Sequence, residues 1–128
     1  MDLLLDTCAF IWSDSGGGDL SSAASAALRD PANRLALSYA SIWEMQLKSQ
    51  KGRLLLRKPL GEIIHEQCTH NGLALVAIEP EDIYNLARLP FHHADPFDRL
   101  IISQAKLRGF SVVTGDGEFG KYSVPIVW

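Results

Sequence analysis

Short, wholly apolar runs alternate along the chain with stretches whose apolar residues recur at helical spacing. Such continuous apolar runs are typical of strands that are buried on both faces of a sheet. They predict strands at residues 3–5, 35–38, 73–78, 112–113 and 126–128. Because strands that alternate with helices form parallel sheets covered by helices, the pattern predicts an α/β fold. We expect a single-domain α/β/α sandwich with a central parallel sheet of about five strands.

Helix boundaries follow from the serines, prolines and glycines that lie between these runs. Side chains that accept backbone hydrogen bonds begin helices, whereas glycine and the Asp-Pro and Asn-Gly pairs end them. The predicted helices are residues 7–12, 21–29, 41–51, 59–70, 80–88 and 95–108, followed by a short helical piece around Phe119. We expect Ser21 or Ser22 to cap the second of these helices. No repeat or long linker divides the chain, so residues 1–128 are expected to form one domain.

The stretch from His93 to Ile102 concentrates charged residues just where a helix is predicted to begin. Asp95 and Pro96 have the residue types of an N-cap and a first helical position. An apolar-rich stripe at helical spacing then continues to Gly109; its members are Leu100, Ile101, Gln104, Ala105 and Leu107. A cap needs only one acid. The second acid, Asp98, is explained either by the helix dipole, which favours acids in the first turn, or by a functional role.

Composition and charge narrow the class of protein. The chain has 128 residues, 47% of them hydrophobic, and a net charge of -3, which argues against a general nucleic-acid coating protein. No apolar run approaches the ~20 residues of a membrane span, and residues 1–6 lack the features of a signal peptide. Cys8 and Cys68 lack metal-type spacing and are expected to be reduced, mostly buried thiols in a cytoplasmic protein.

Acidic side chains from separate stretches are predicted to meet at one edge of the sheet. Asp6 ends the first strand, Glu44 lies in the helix after the second, and Asp116 follows the fourth. The helix from Asp95 must run backwards to reach the fourth strand, so Asp95 and Asp98 belong to the same edge. In open α/β sheets, ligands bind at this carboxyl edge, where the strand order switches.

Each acid also has a simpler structural explanation. Asp6 could cap the following turn, Ser41 to Glu44 has the sequence of a capping box, and Asp116 could be a turn residue. Together, however, clustered carboxylates repel one another by about 4 kcal/mol for a pair 4 Å apart at an effective dielectric constant of 20. A divalent cation such as Mg²⁺ or Mn²⁺ removes that cost, which points to metal-assisted hydrolysis of phosphodiesters.

The ordered set of these motifs resembles the PIN domain family along the whole chain. The matching residues are Leu5-Asp6-Thr7, Ser41-x-Trp43-Glu44, Asp95-Pro96-Phe97-Asp98-Arg99, Thr114-x-Asp116 with Phe119 and Tyr122, and the closing Val127-Trp128. Within that family, the chain is most similar to the VapC-like toxins of type II toxin–antitoxin pairs. Cys8 departs from the small or polar residue that is frequent in relatives, and it is assigned no role.

The resemblance implies a metal-dependent endoribonuclease that acts as a toxin. It implies that Asp6, Glu44, Asp98 and Asp116 hold Mg²⁺ or Mn²⁺ and form the catalytic site. Asp98 is preferred to Asp95 because Asp-x-x-Ile-Ile matches the family pattern, which leaves Asp95 as the cap or an outer-shell group. The implied partners are an RNA substrate, a cognate antitoxin and a second copy of the chain, with no membrane involved.

Several basic residues and histidines are further candidates. Lys48, Lys51, Arg53, Arg57 and Lys58 form a basic run that is either a solvated face or a phosphate-binding surface. For RNA binding, the candidates are Lys48, Lys51, Arg53 and Arg99. His92 and His93 adjoin the acidic helix, where they are either structural or involved with metal or substrate. Trp12 and Trp43 are expected to fill the core or an interface.

Other functions remain open on the same predicted fold. A haloacid-dehalogenase-like phosphatase needs a second acid two residues after the first, where Cys8 stands. A receiver domain needs an acidic pair at the first strand and a lysine after a late strand, where Thr114-Gly115-Asp116 offers an acid. A PIN nuclease that is not a toxin and a non-catalytic binding module are the remaining alternatives.

Overall fold

A computed structural model describes the whole chain, from Met1 to Trp128. It contains five strands and seven α-helices: β1 (Asp2–Leu5), α1 (Thr7–Asp14), α2 (Ser22–Arg29), β2 (Arg34–Ser38), α3 (Tyr39–Gln50), α4 (Leu60–Asn71), β3 (Ala74–Val76), α5 (Pro80–Tyr84), α6 (Pro96–Arg108), β4 (Ser111–Val113), α7 (Gly117–Gly120) and β5 (Ile126–Val127). A 3₁₀ turn, Asn85–Arg88, follows α5. None of the helices is both long enough and apolar enough to cross a membrane.

The five strands form one parallel sheet in the order β3-β2-β1-β4-β5. The first strand lies in the centre, with Leu5 aligned to Leu37 of β2 and to Val113 of β4. The chain moves outwards from β1 to β3 and then crosses back through α5 and α6 to reach β4. The predicted single-domain α/β/α sandwich is therefore confirmed, and the strand order switches between β1 and β4, at the centre of the sheet.

Two hydrophobic cores cover the two faces of this sheet. Side chains of a strand alternate between faces, and Leu4 accordingly packs with α6 residues such as Ile101 in one core. Leu3 and Leu5 pack in the other core with residues of α1, α3 and α4, including Met45. All three leucines are at most 2% exposed, as the apolar run at residues 3–5 predicts.

Helix α3 begins earlier than the sequence pattern indicates. The hydroxyl of Ser38, the last residue of β2, accepts a hydrogen bond of 3.0 Å from the amide of Ala40 and caps the helix. Ser41 therefore lies inside α3, where its buried Oγ has no partner. The prediction that Ser41 begins the helix and forms a capping box with Glu44 is wrong. Capping consequently does not explain Glu44, which lies in the second turn.

Helix α6 has the predicted ends but a different buried face. Asp95 caps it through backbone amides, and Gly109 ends it with the left-handed φ of 74° that glycine adopts without strain. Leu107, which the predicted stripe includes, is 48% exposed, whereas Ile102 and Ser103 are fully buried. The predicted strand at residues 73–78 is also shorter, because only Ala74–Val76 pair, at the edge of the sheet.

Candidate active site

An acidic cleft of about 320 Å³ opens at the carboxyl edge of the central strands. Its lining consists of Asp6, Thr7, Cys8, Trp12, Glu44, Lys48, Asp95, Asp98, Gly115 and Asp116. All four acids predicted as catalytic and metal-binding residues are present, together with Asp95. Their convergence follows from the topology, because the ends of β1, β2 and β4 and the start of α6 meet at this edge.

Asp6 lies at the end of β1 and is 6% exposed. One of its carboxylate oxygens accepts a 2.7 Å hydrogen bond from the amide of Ala9, and the other accepts one of 2.6 Å from Oγ1 of Thr114. Burial raises the pKa of Asp6, and the nearby charges of Asp116 and Glu44 raise it further, although both hydrogen bonds oppose this rise. The ionised carboxylate is therefore costly in the absence of a cation.

Glu44 extends from α3 into the cleft and is 5% exposed. Its Oε1 accepts a hydrogen bond of 2.5 Å from Thr7, and its Oε2 lies 2.7 Å from the ammonium group of Lys48, one turn later in the same helix. The hydrogen bond to Glu44 raises the pKa of Lys48 and keeps this lysine charged. The charge of Glu44 is thus partly neutralised from within the chain.

Asp98 and Asp95 stand at the start of α6 with different partners. Oδ1 of Asp95 accepts hydrogen bonds from the backbone amides of Phe97 and Asp98, at 2.9 and 3.1 Å, so this acid caps the helix. Oδ2 of Asp98 lies 3.3 Å from Nε2 of His93. Burial, followed by the charges of Asp95 and Glu44, raises the pKa of Asp98 to about 7, whereas His93 acts in the opposite direction.

Asp116 completes the cleft from the turn that follows β4. It caps the short helix α7 by accepting the amide of Glu118 at 2.9 Å, while its own amide donates to Oγ1 of Thr114 at 3.0 Å. The same Thr114 hydroxyl donates to Asp6, so one threonine links two of the acids. This link fixes the turn relative to the central strand.

The donor chemistry of the cleft fits a hard divalent cation, but its carboxylates do not converge on one point. No group of three acidic, histidine or cysteine side chains lies close enough together to hold an ion as placed. The carboxylates instead face Thr7, Thr114, Lys48 and His93. Clustered carboxylates are nevertheless suited to Mg²⁺ or Mn²⁺, and burial, together with the neighbouring acids, raises the pKa values of Asp6 and Asp98.

A basic groove of about 230 Å³ adjoins the cleft. Its lining consists of Glu44, Leu47, Lys48, Lys51, Arg53, Asp95, Pro96 and Phe97. Three of the four predicted RNA-binding cations, Lys48, Lys51 and Arg53, therefore lie together. The rest of the basic run is elsewhere, because Arg57 pairs with Asp14 and Glu66 and Lys58 also pairs with Glu66.

Arg99, the fourth predicted RNA-binding residue, is turned into the protein and is 5% exposed. Its guanidinium donates to the carbonyl of Pro90 at 2.8 Å and to the hydroxyl of Tyr122 at 3.2 Å. Further donations to the carbonyls of Leu86 and Leu89 fix the loop that precedes α6. Its place in the structure is thus inside the fold and away from the basic groove.

Some features of the cleft were not anticipated. Cys8 is exposed and borders the acids, contrary to the expected burial, and partial desolvation, with the charge of Asp6, raises the pKa of its thiol. The pairing of His93 with Tyr122 and Asp98 was also missed. Thr7 and Thr114 belong to the quoted motifs but were given no role. Thr7 directly follows Asp6, and Thr114 lies two residues before Asp116. These positions beside the acids were the available signal for a role of the two threonines.

The comparisons with known proteins agree on the fold. A family model described as PIN domain matches residues 3–125. The chain is similar to VapBC2 from Rickettsia felis, crystallised with a DNA fragment from its promoter, at a TM-score of 0.72 and 15% identity over 98% of this chain and 97% of that one. No curated protein sequence matches significantly.

Two further solved structures have the same fold. One is a member of the VapBC family of toxin–antitoxin systems, VapBC-5 from Mycobacterium tuberculosis, with a TM-score of 0.63 and 16% identity over 98% of this chain and 97% of that one. The other is FitAcB from Neisseria gonorrhoeae, with a TM-score of 0.61 and 20% identity over 97% of this chain and 95% of that one.

Proposed function

The chain belongs to the PIN domain family, whose members are nucleases, and on that premise we propose that it is an endoribonuclease dependent on Mg²⁺ or Mn²⁺. The observation that carries this proposal is the acidic cleft, in which Asp6, Glu44, Asp98 and Asp116 meet from four separate segments. A stable fold does not require this accumulation of charge. Hydrolysis of an anionic phosphodiester at a cation does require it.

In this proposal, Asp6, Glu44, Asp98 and Asp116 would hold the cation, for which their side chains would turn from their present partners towards a common point. When bound, the cation would neutralise the scissile phosphate and activate a water molecule. The chain's own hydroxyl groups orient the ligands, because Thr7 donates to Glu44 and Thr114 donates to Asp6. Lys48, Lys51 and Arg53 in the basic groove bind the phosphates of the RNA on the side next to Glu44.

We further propose that the protein is the toxin of a toxin–antitoxin pair. Support comes from the similar structures, which are VapBC and FitAB assemblies. The implied partners are a cognate antitoxin and a second copy of this chain, in the cytoplasm. A PIN nuclease that is not a toxin would have the same cleft, so the two functions differ in their effect on the host cell and not in their chemistry.

Cleavage of a labelled single-stranded RNA tests the enzymatic part. We expect cleavage with Mn²⁺ and none with excess chelator, and we expect Asp6→Asn to be inactive. Asp19→Asn is the matched control, because Asp19 is exposed and lies outside the cleft. Chelator-resistant cleavage, or equal activity of wild type and Asp6→Asn, would refute the proposal.

Inducible expression in bacteria tests the toxin role. Wild-type protein should arrest growth, Asp6→Asn should not, and co-expression of a small neighbouring gene product should restore growth. Normal growth with soluble and active nuclease would instead identify a nuclease that is not a toxin.

A further inference from the structure

A partly buried hydrogen-bond chain leads from Arg99 through Tyr122 and His93 to Asp98, at the wall of the acidic cleft. The Tyr122 hydroxyl lies 3.2 Å from the Arg99 guanidinium, 3.2 Å from the backbone amide of His93 and 2.7 Å from Nδ1 of the His93 ring. The other ring nitrogen, Nε2, lies 3.3 Å from Oδ2 of Asp98. Tyr122 itself is 1% exposed, so water does not compete at its ring.

The number of donors and acceptors determines where the protons lie in this chain. A tyrosine hydroxyl has two acceptor lone pairs and one hydrogen. The Arg99 guanidinium and the His93 amide are donors only, and they use the two lone pairs. The Tyr122 hydrogen is therefore donated, and Nδ1 of His93 at 2.7 Å is a far better acceptor than the His93 carbonyl at 3.4 Å.

An accepting Nδ1 defines the tautomer of His93. In a neutral imidazole one nitrogen accepts and the other carries the hydrogen. With Nδ1 accepting from Tyr122, the hydrogen lies on Nε2, which points to the carboxylate of Asp98. The orientation of the His93 ring is also restricted, because this ring packs in an edge-to-face arrangement with the ring of Tyr122 at a centroid distance of 5.4 Å.

We propose that His93 is a positioning residue for Asp98, with its Nε2–H holding Oδ2 so that Oδ1 faces the acidic cleft. Oδ1 of Asp98 makes no hydrogen bond within the chain, so it is the oxygen left for a ligand. His93 does not line the cleft and reaches it through its contact with Asp98. The catalytic consequence rests on the proposed nuclease function, whereas the arrangement of protons does not.

The tautomer is measurable without any activity. In protein labelled with ¹⁵N-histidine, at a pH about two units above the usual histidine pKa of ~6.5, we expect His93 to show an unprotonated, hydrogen-bonded Nδ1 and a protonated Nε2. The His93→Gln spectrum identifies the signal. Tyr122→Phe should shift the Nδ1 resonance towards that of a free nitrogen, whereas Tyr84→Phe, at a 71% exposed tyrosine, should not. A protonated Nδ1 in the wild type, or an Nδ1 resonance unaffected by Tyr122→Phe, would overturn the proposal.

Two variants at His93 separate positioning from proton transfer. In the His93→Gln variant the side-chain amide can still donate a hydrogen bond to Asp98, whereas the side chain of the His93→Leu variant has no donor. We expect His93→Leu to weaken Mn²⁺ binding or to lower kcat roughly 10- to 100-fold, as for other groups that orient metal ligands, with KM for RNA unchanged. His93→Gln should recover most of the loss. Equal loss in both variants would assign a proton-transfer role instead, and no loss in either would leave His93 without a positioning role.

The two proposals fail in different ways. If wild-type protein does not cleave RNA, the nuclease function fails, but the histidine spectrum and Mn²⁺ calorimetry still decide whether His93 orients Asp98. If RNA is cleaved in an Asp6-dependent manner while Nδ1 of His93 is protonated, only the positioning role is refuted.

Discussion

The ammonium group of Lys48 lies 2.7 Å from Oε2 of Glu44, one helical turn earlier in α3. This pair stands at the boundary of two surfaces, since both residues line the acidic cleft and the basic groove. Lys48 therefore neutralises a carboxylate that, in our proposal, holds a cation. A cation that binds Glu44 would release the ammonium group towards the groove, where Lys51 and Arg53 lie.

Replacing Lys48 with methionine should strengthen Mn²⁺ binding and weaken RNA binding. A half-exposed ion pair contributes about 1 kcal/mol, which corresponds to an affinity gain of roughly three- to tenfold for the metal. Calorimetry with Mn²⁺ measures this gain. Lys51→Met is the matched control, because Lys51 lines the groove but pairs with no acid, and its Mn²⁺ affinity should change less. Equal changes in both variants would mean that the contact with Glu44 is unimportant.

The two acids at the start of α6, Asp95 and Asp98, should differ in their effect on cleavage. Asp95→Ser keeps a capping oxygen for the amides of Phe97 and Asp98, so it should cost less than about 1 kcal/mol of stability and retain much of the activity. Asp98→Asn should abolish cleavage in a folded protein. RNA cleavage and urea denaturation of both variants measure these effects. An inactive Asp95→Ser beside an active Asp98→Asn would reverse the assignment.

Metal-free protein should become more stable as the pH falls from about 7 to about 5. The folded-state pKa values of Asp6 and Asp98 lie above those of the unfolded chain, so the folded protein binds more protons in this window. The pKa values of Asp14, Asp82 and Glu66 are lowered, because hydrogen bonds from Arg57, Arg108 and Lys58 respectively outweigh burial. These acids oppose the trend below about pH 5, where the unfolded chain begins to bind more protons at them than the folded protein does.

Urea unfolding with chelator present measures this dependence. For Asp98, a rise to about 7 corresponds to ~4 kcal/mol at most, which solvent screening reduces to about 1–2 kcal/mol. Asp98→Asn should be more stable than wild type near neutral pH and should show a flatter pH profile. Parallel profiles for the two proteins would contradict the raised pKa.

The salt dependence of RNA binding tests whether the basic groove contacts the phosphates of the RNA. Replacing both Lys51 and Arg53 with glutamine should weaken RNA binding and flatten its salt dependence by about 0.7 per lost phosphate contact. Arg29 and Arg34, which are exposed and lie away from the groove, provide a double-glutamine control of equal charge. Binding is measured with inactive Asp6→Asn protein over a range of salt concentrations. The same slope in both double variants would place the RNA elsewhere.

Gly115 leaves room for the indole of Trp128 beside the turn that carries Asp116. A Cβ at this position would lie 2.7 Å from Cε2 and 2.8 Å from Cζ2 of Trp128, so Gly115→Ala should displace the indole. We expect a changed near-ultraviolet circular dichroism signal, because Trp128 also packs against Trp12 at 5.8 Å, and a stability loss of about 1–3 kcal/mol. Gly117→Ala, where a Cβ meets nothing within 4 Å, is the control.

Local sequence chemistry by itself determined the elements and their approximate ends. The apolar run Leu3 to Leu5 was sufficient to predict a strand that is buried on both faces, and Asp95 and Gly109 marked both ends of α6. These signals work because capping, turn geometry and hydrophobic periodicity involve residues within a few positions of one another. Strands alternating with helices then implied a parallel sheet, whose carboxyl edge collects the acids.

Only the tertiary structure decided whether a given side chain faces the cleft or the interior of the protein, even for residues that are adjacent in the sequence. Asp98 and Arg99 are adjacent on α6, yet one borders the cleft and the other is bonded to buried carbonyls. Ser38 rather than Ser41 caps α3 because the end of β2 sets where the helix begins. The hydrogen bond from Thr114 to Asp6 joins residues 108 positions apart. Such partners are brought together by the packing of the whole sheet, which no local pattern encodes.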